Sequence, residues 1–203
     1  MPSITFNNLC EEKKKKIIEA SKKEFSNKLY QEASLNQIIK ESDISRGSFY
    51  MYFDDKKDLY FYLLDEYKNR FEGIVIHILN KNNGEIFSAF KEIFSIAYTK
   101  LSNAENSLFI ENIFRNMNYL IESKLLTFKP KGLLEHIIYD YTNKNCLVLT
   151  KRKDILNLLH IIIMLCMNSL TKLIHNPNDL KLIKDSYNEQ LLLLKKSFYK
   201  GGK

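Results

Sequence analysis

The chain has 203 residues, 45% of them hydrophobic, and a formal net charge of +7. That length admits one ordinary domain or a small domain beside a larger one, and the apolar content is enough for a packed core, which excludes a disordered chain. Six Gly, three Pro and no Trp, with abundant Leu, Ile, Lys and Asn, disfavour a turn-dense β-sandwich and predict an all-α chain.

The amino terminus, MPSITFNNLCEEKKKK, is polar and lacks the apolar stretch of a signal peptide. The longest purely apolar run, Ile161 to Met167, is far shorter than the roughly 20 residues that span a bilayer. A cytoplasmic protein without a membrane span is expected. Lys13 to Lys16 are consecutive and so point around a helix, which favours a solvated first turn flanked by Glu11 and Glu12 over a binding stripe. Bulk charge gives no argument for nucleic acid either, since residues 1–70 hold 13 Lys/Arg against 12 Asp/Glu.

Residues 34 to 59, SLNQIIKESDISRGSFYMYFDDKKDL, read as two short helices joined by a tight turn, followed by the start of a third. Ser34 and Gln37 have capping-box spacing, in which the hydroxyl serves a backbone N–H and the amide reaches back to the cap, so a helix should begin at Leu35. Leu35, Ile38 and Ile39 form its buried face. Asp43 falls where the helix must stop, because a short polar side chain tolerates left-handed backbone better than most. Ser45 can cap the next helix, Arg46 to Phe53, whose obvious core anchors are Phe49 and Phe53. Its other face carries Gly, hydroxyls, Arg and Tyr, and is built to touch something.

Ile17, Ile18, Ala20, Ser21, Phe25, Tyr30, Ser34, Ile38, Ile44, Ser45, Arg46, Gly47, Ser48, Phe49, Tyr50, Tyr52, Phe53, Lys56 and Leu59, in this order and spacing, closely resemble the amino-terminal DNA-binding domain of TetR-family transcriptional regulators. The resemblance covers about the first 60 residues. It implies an all-helical homodimer that binds a palindromic double-stranded DNA operator, usually as a repressor, and releases it when a small molecule enters the carboxy-terminal domain. Two positions depart from the family pattern: Asp43 and Leu29 stand where Gly is usual.

In helix-turn-helix proteins the second helix lies in the major groove with its first residues against base edges, here Ser45, Arg46 and Ser48. Arg46 can present its fork to guanine O6 and N7, and Gly47 would let the backbone approach the duplex closely. The resemblance places Tyr50, Tyr52 and Lys56 at phosphate-contacting positions. Ser34 can offer a hydroxyl or its helix N-terminus to a phosphate, and Asn36 and Gln37 are candidates for flanking contacts. Competing readings stand beside these. Ser34 and Ser45 can be caps alone, Tyr50 can be a core anchor, and Arg46 can pair with Glu41 or Asp43.

Asp54 or Asp55 should cap a long helix running through Leu59, Leu63, Tyr67 and Phe71 to Leu79, broken by NKNNGE at 80–85. Its shift as a rod is a route by which a pocket could alter two reading heads. Further helices are expected at about 85–101, 104–122, 131–144, 153–175 and 178–199, giving a helix-turn-helix domain at 1–53 and a helical ligand-binding and dimerisation domain at 54–203. Phe90, Phe94, Phe109, Tyr139 and Met164, with Asn112, Asn116 and His160 as polar handles, could line a pocket for an apolar or aromatic ligand, although such a stripe is more often core. Leu158, Leu159, Ile162, Cys166, Ser169 and Leu173 form one stripe, and Leu180, Ile183, Tyr187, Leu191 and Leu194 another. They read as a four-helix dimer interface or as intrachain core.

Cys10, Cys146 and Cys166 are widely spaced and expected to be free thiols, and the four His never take metal-ligand spacing. No metal, no cofactor and no enzymatic activity are expected, since no Ser lies in a Gly-flanked nucleophile elbow and no Gly-rich phosphate loop occurs. Two function classes follow: a ligand-responsive DNA-binding regulator, and a helical protein-interaction module acting through its carboxy-terminal domain, with DNA as platform or without it.

Overall fold

The computed structural model describes residues 2–102, 108–115, 127–128 and 132–201. In chain order the elements are α1 (Ile4–Asn7), α2 (Glu11–Asn27), α3 (Leu35–Glu41), α4 (Arg46–Tyr52), α5 (Lys56–Lys81), α6 (Ile86–Ser102), α7 (Leu108–Arg115), β1 (Thr127–Phe128), β2 (Gly132–Leu133), α8 (Leu134–Tyr141), a 3₁₀ turn (Lys144–Cys146), α9 (Arg152–His175) and α10 (Leu180–Phe198). β1 and β2 are a two-residue antiparallel pair with Thr127 opposite Leu133, an addition to an otherwise helical chain. The helix expected at 104–122 is described only as α7.

The chain forms two compact units, Met1–Asn69 with Ser107–Leu125, and Arg70–Asn106 with Leu126–Lys203. In the first, Phe6, Ile17, Phe25, Ile38, Phe49, Phe53, Leu59 and Leu63 make one buried cluster, joined by Phe109 and Ile113 of α7. Aromatic contacts run through it: Phe6 meets Phe53 at 4.7 Å, and Phe25 meets Tyr60 edge-on at 5.0 Å between ring centres. Short α1 is held by this packing rather than by its own propensity, since four residues cannot sustain a helix alone. Ser3 caps it through the Phe6 N–H, and also donates its hydroxyl to the Met51 carbonyl at 2.6 Å and its N–H to the Tyr52 carbonyl at 2.9 Å. The amino-terminal segment thereby satisfies carbonyls at the end of α4 that a helix leaves unpaired.

Both α3 and α5 end in the same left-handed motif. At α3 the Ile44 N–H reaches the Ile39 carbonyl and the Asp43 N–H the Lys40 carbonyl, with Asp43 at φ +53°. At α5 the Gly84 N–H reaches the Leu79 carbonyl and the Asn83 N–H the Asn80 carbonyl, with Asn83 at φ +53° and Gly84 at +74°. Asp43 thus serves the role expected of it. Leu29 needs no such accommodation, because Asp43 and Asn83 are the described non-glycine residues with positive φ. The α5 start is capped by Asp55, which accepts the Asp58 N–H at 2.7 Å.

In the second unit α6, α8, α9 and α10 surround a core that includes Leu79, Phe87, Phe94, Ile138, Leu159, Ile162 and Tyr187. Tyr187 stacks on Phe94 at 3.9 Å and donates to the Phe90 carbonyl at 3.1 Å. The chain end is fixed by the Val148 N–H to the Phe198 carbonyl and the Lys200 N–H to the Cys146 carbonyl. By length and composition α9, at 24 residues, is apolar enough to cross a membrane, which corrects the argument from the longest unbroken apolar run. A core helix passes the same test, and α9 buries Ile155, Leu158, Leu159, Ile162, Ile163 and Cys166 in this unit.

Candidate nucleic-acid interface

The face of α4 that points away from the core is assembled by caps and one cross-helix bond. Ser45 accepts the Ser48 N–H at 3.0 Å and its hydroxyl lies 2.9 Å from that of Ser48. Arg46, the first residue of α4, donates to the Asn36 side-chain oxygen of α3 at 2.8 Å, and its guanidinium sits 5.7 Å from the Tyr50 ring. Its partner is therefore neither Glu41 nor Asp43. Glu41 is engaged elsewhere, held below the usual carboxylate range by Lys23 and then Gln37.

Tyr50 is 48% exposed while its neighbours Phe49 and Phe53 are buried, which removes the core-anchor reading for it. Gly47 has open space where a Cβ would stand, with the nearest atom, the Ser45 hydroxyl oxygen, at 3.8 Å. Among the described residues no packing demands glycine there. Arg46, Gly47, Ser48, Tyr50 and Asn36 thus share one accessible surface at the start of α4.

Three expected contacts are placed differently. Tyr52 is only 5% exposed and packs against Phe6 at 6.1 Å, so its ring belongs to the core. Lys56 directs its ammonium inward, to the carbonyls of Tyr30 at 2.7 Å, Ala33 at 2.8 Å and Gln31 at 3.4 Å. Ser34 accepts the Gln37 N–H as a cap should, but the Gln37 amide turns to Glu41 at 3.0 Å instead of back to the cap. The Ser34 N–H is taken by Glu24 of α2 at 2.7 Å. Burial pushes the Glu24 carboxyl up, and the Ser34 N–H with Lys28 outweighs it, leaving the group below its ordinary range. Glu24, Ser3 and Phe6 are the residues of this region that sequence reading missed. The last two share a local signal, a Ser three residues before an aromatic.

The residues expected to line a ligand belong to both units. Phe90 and Phe94 are core residues of the second unit, with Met164 packed against the same cluster. Tyr139 lies between Lys144 at 4.4 Å and Arg152 at 5.0 Å. His160, 3.7 Å from Glu135, opens on a surface cleft of about 540 Å³ shared with His136, Arg152, Lys153, Leu156 and Asn157. Phe109 and Asn112 belong to the first unit, where Phe109 stacks on Tyr67 at 4.8 Å and the Asn112 amide donates to the Phe25 and Ser26 carbonyls at the end of α2. Asn116 lies outside the described residues.

The expected dimer stripes also turn inward. Leu158, Leu159, Ile162, Cys166, Ser169, Leu173, Tyr187 and Leu191 are buried within the chain, because these helices pack that face on their own core. Burial pushes the Cys166 thiol up to about 12. Leu180, Ile183 and Leu194 are partly buried against the same core. The apolar positions of α9 and α10 that remain accessible are Ile161, Leu182, Leu192 and Leu193.

Against known proteins, residues 17–63 match the family described as bacterial regulatory proteins, tetR family, and residues 85–197 match the tetracyclin repressor-like C-terminal domain. The chain belongs to the TetR family. The HTH-type transcriptional regulator YuxN of Bacillus subtilis is 32% identical to it over 90 residues, 44% of this chain and 31% of YuxN. The chain spans about a third of the length of the curated relatives it matches. SmeT, the repressor of the Stenotrophomonas maltophilia multidrug efflux pump SmeDEF, shares the fold with a TM-score of 0.67 at 14% identity, over 96% of this chain and 93% of SmeT. FadR of Bacillus subtilis, solved with stearoyl-CoA, gives 0.60 at 17% identity over 88% of this chain and 97% of FadR. As a TetR-family member the chain carries its helix-turn-helix in α3 and α4, with the first match closing at Leu63 in α5.

Proposed function

We propose that this TetR-family protein is a sequence-specific DNA-binding transcriptional repressor that acts in the cytoplasm as a homodimer on a palindromic operator. The observation that carries the reading is the accessible start of α4, where Arg46, Ser48 and Tyr50 project from a helix whose opposite face is fully buried. The guanidinium there can take guanine O6 and N7, while Tyr50, Ser48, Ser45 and the amides of Asn36 and Gln37 reach sugar and phosphate. Ser34 and Ser45 serve first as caps, and their helix N-termini favour a nearby phosphate.

In a homodimer, two such helices about 34–36 Å apart would match one helical turn of DNA, and the exposed apolar positions of α9 and α10 are the proposed contact between copies. An apolar small molecule entering the carboxy-terminal domain would release the operator. The stearoyl-CoA bound by FadR, with its long acyl chain, supports an inducer with an apolar part. No enzymatic role is assigned. The test is selection from a random-sequence duplex library with the purified protein. Enrichment of a two-fold symmetric sequence supports the reading, and failure of any sequence to enrich refutes it.

A further inference from the structure

An ammonium has three N–H donors, and Lys56 commits all three. Its nitrogen lies 2.7 Å from the Tyr30 carbonyl, 2.8 Å from that of Ala33 and 3.4 Å from that of Gln31, and 4.7 Å from the Tyr30 ring. These carbonyls line the loop that delivers the chain from α2 into α3. The N–H side of that loop is held separately, with Glu24 of α2 accepting from Ser34. The entry to α3 is therefore fixed between a carboxylate on α2 and an ammonium at the first residue of α5. The second residue of α3, Asn36, in turn holds Arg46.

We propose that Lys56 is a positioning residue of the DNA-reading unit: it clamps the α2–α3 loop and so sets the placement of Asn36 and Arg46, and it does not neutralise a phosphate. The inference rests on the DNA-binding reading for its functional consequence. Contact with a phosphate would require the ammonium to leave three carbonyls and an aromatic face. Burial of the ammonium disfavours its charge, and Glu24 opposes that effect. An Arg cannot reproduce the clamp, because its planar fork does not direct three N–H groups at carbonyls arranged around one point.

The experiment compares Lys56→Met and Lys56→Arg with the unaltered full-length protein. Amide exchange is measured first. The clamp predicts faster exchange over residues 29–38 in both variants with α10 unchanged, and unchanged exchange over 29–38 overturns it. Affinity for the duplex that the unaltered protein selects is then read at several salt concentrations. The expected result is a loss of tenfold or more in both variants with the salt slope kept. Retention of affinity by Lys56→Arg, with a slope lowered by about 0.9 in Lys56→Met, assigns a phosphate contact and overturns the proposal. If the unaltered protein selects no duplex, the DNA-binding reading fails by itself, and the exchange measurement still decides the clamp.

Discussion

The guanidinium of Arg46 and the side-chain oxygen of Asn36, 2.8 Å apart, tie the first turn of α4 to the first turn of α3. The bond lies on the exposed surface, so it orients the guanidinium without anchoring it in the core. Replacing Arg46 by Ala should therefore leave the melting temperature nearly unchanged, since exposed substitutions of this kind stay within about 0.5 kcal/mol. Affinity for a selected duplex should fall by an amount on the order of 1–3 kcal/mol, with discrimination lost at one base pair per half-site. Titration of the matched duplex and its single-base variants checks both.

Gly47 separates stability from reading more sharply. Its Cβ position is open and it is the second residue of a helix, where Ala is favoured over Gly by at most about 1 kcal/mol. Gly47→Ala should raise stability in chemical denaturation and, on the proposed reading, weaken duplex binding, because the added methyl would obstruct a close approach of the α4 backbone to DNA. A variant more stable and equally tight would remove Gly47 from the interface.

The two left-handed corners predict opposite signs. Asp43 holds φ +53° at some cost to a residue with a Cβ, so Asp43→Gly should be neutral to stabilising, by up to about 1 kcal/mol. At Gly84 a Cβ would stand 2.5 Å from the Asn143 nitrogen and 2.7 Å from the Tyr141 carbonyl oxygen, both backbone atoms, at φ +74°. Gly84→Ala should cost at least about 2 kcal/mol, from strain and overpacking together. Urea unfolding of both variants tests the pair.

Much of the reading head was legible because its determinants are local. Ser34 and Ser45 cap through N–H groups three residues on, and Asp43 stops α3, all within the span of a single turn. The failures come from distant partners. Glu24, ten residues before Ser34, takes the N–H that Gln37 was expected to serve. Tyr52 is covered by Phe6 from a four-residue helix too short to have a periodic signal. The stripes of α9 and α10 have the right period for burial, but a period does not say which surface covers it, and here it is the chain's own core. Among the aromatic residues grouped as a ligand lining, Phe109 packs on Tyr67 and Phe94 on Tyr187, partners that a helical stripe alone does not name.

Glu85 predicts a pH dependence. Burial pushes its carboxyl up, but the Ser88 hydroxyl, Lys195 and the N–H groups of Phe87 and Ser88 together hold it below the ordinary value. A group with a depressed folded pKa stabilises the fold above its unfolded value, about 4.3, and that contribution is lost as pH falls through the folded value. Glu85→Gln should be less stable near neutral pH and should show a flatter acid limb below about pH 4.5. The bond to Lys195, 2.9 Å long, joins the start of α6 to the last turn of α10. Lys195→Met should therefore shift the acid limb in the same direction.

Fluorescence anisotropy of the full chain against a selected duplex and its scrambled counterpart, at two salt concentrations and with Arg46→Ala alongside, tests the exposed face of α4 most directly. The account predicts tight, sequence-preferring binding that weakens steeply with salt, and loss of the preference in Arg46→Ala. Equal binding of the two duplexes, or an undiminished preference in a folded Arg46→Ala protein, would contradict it.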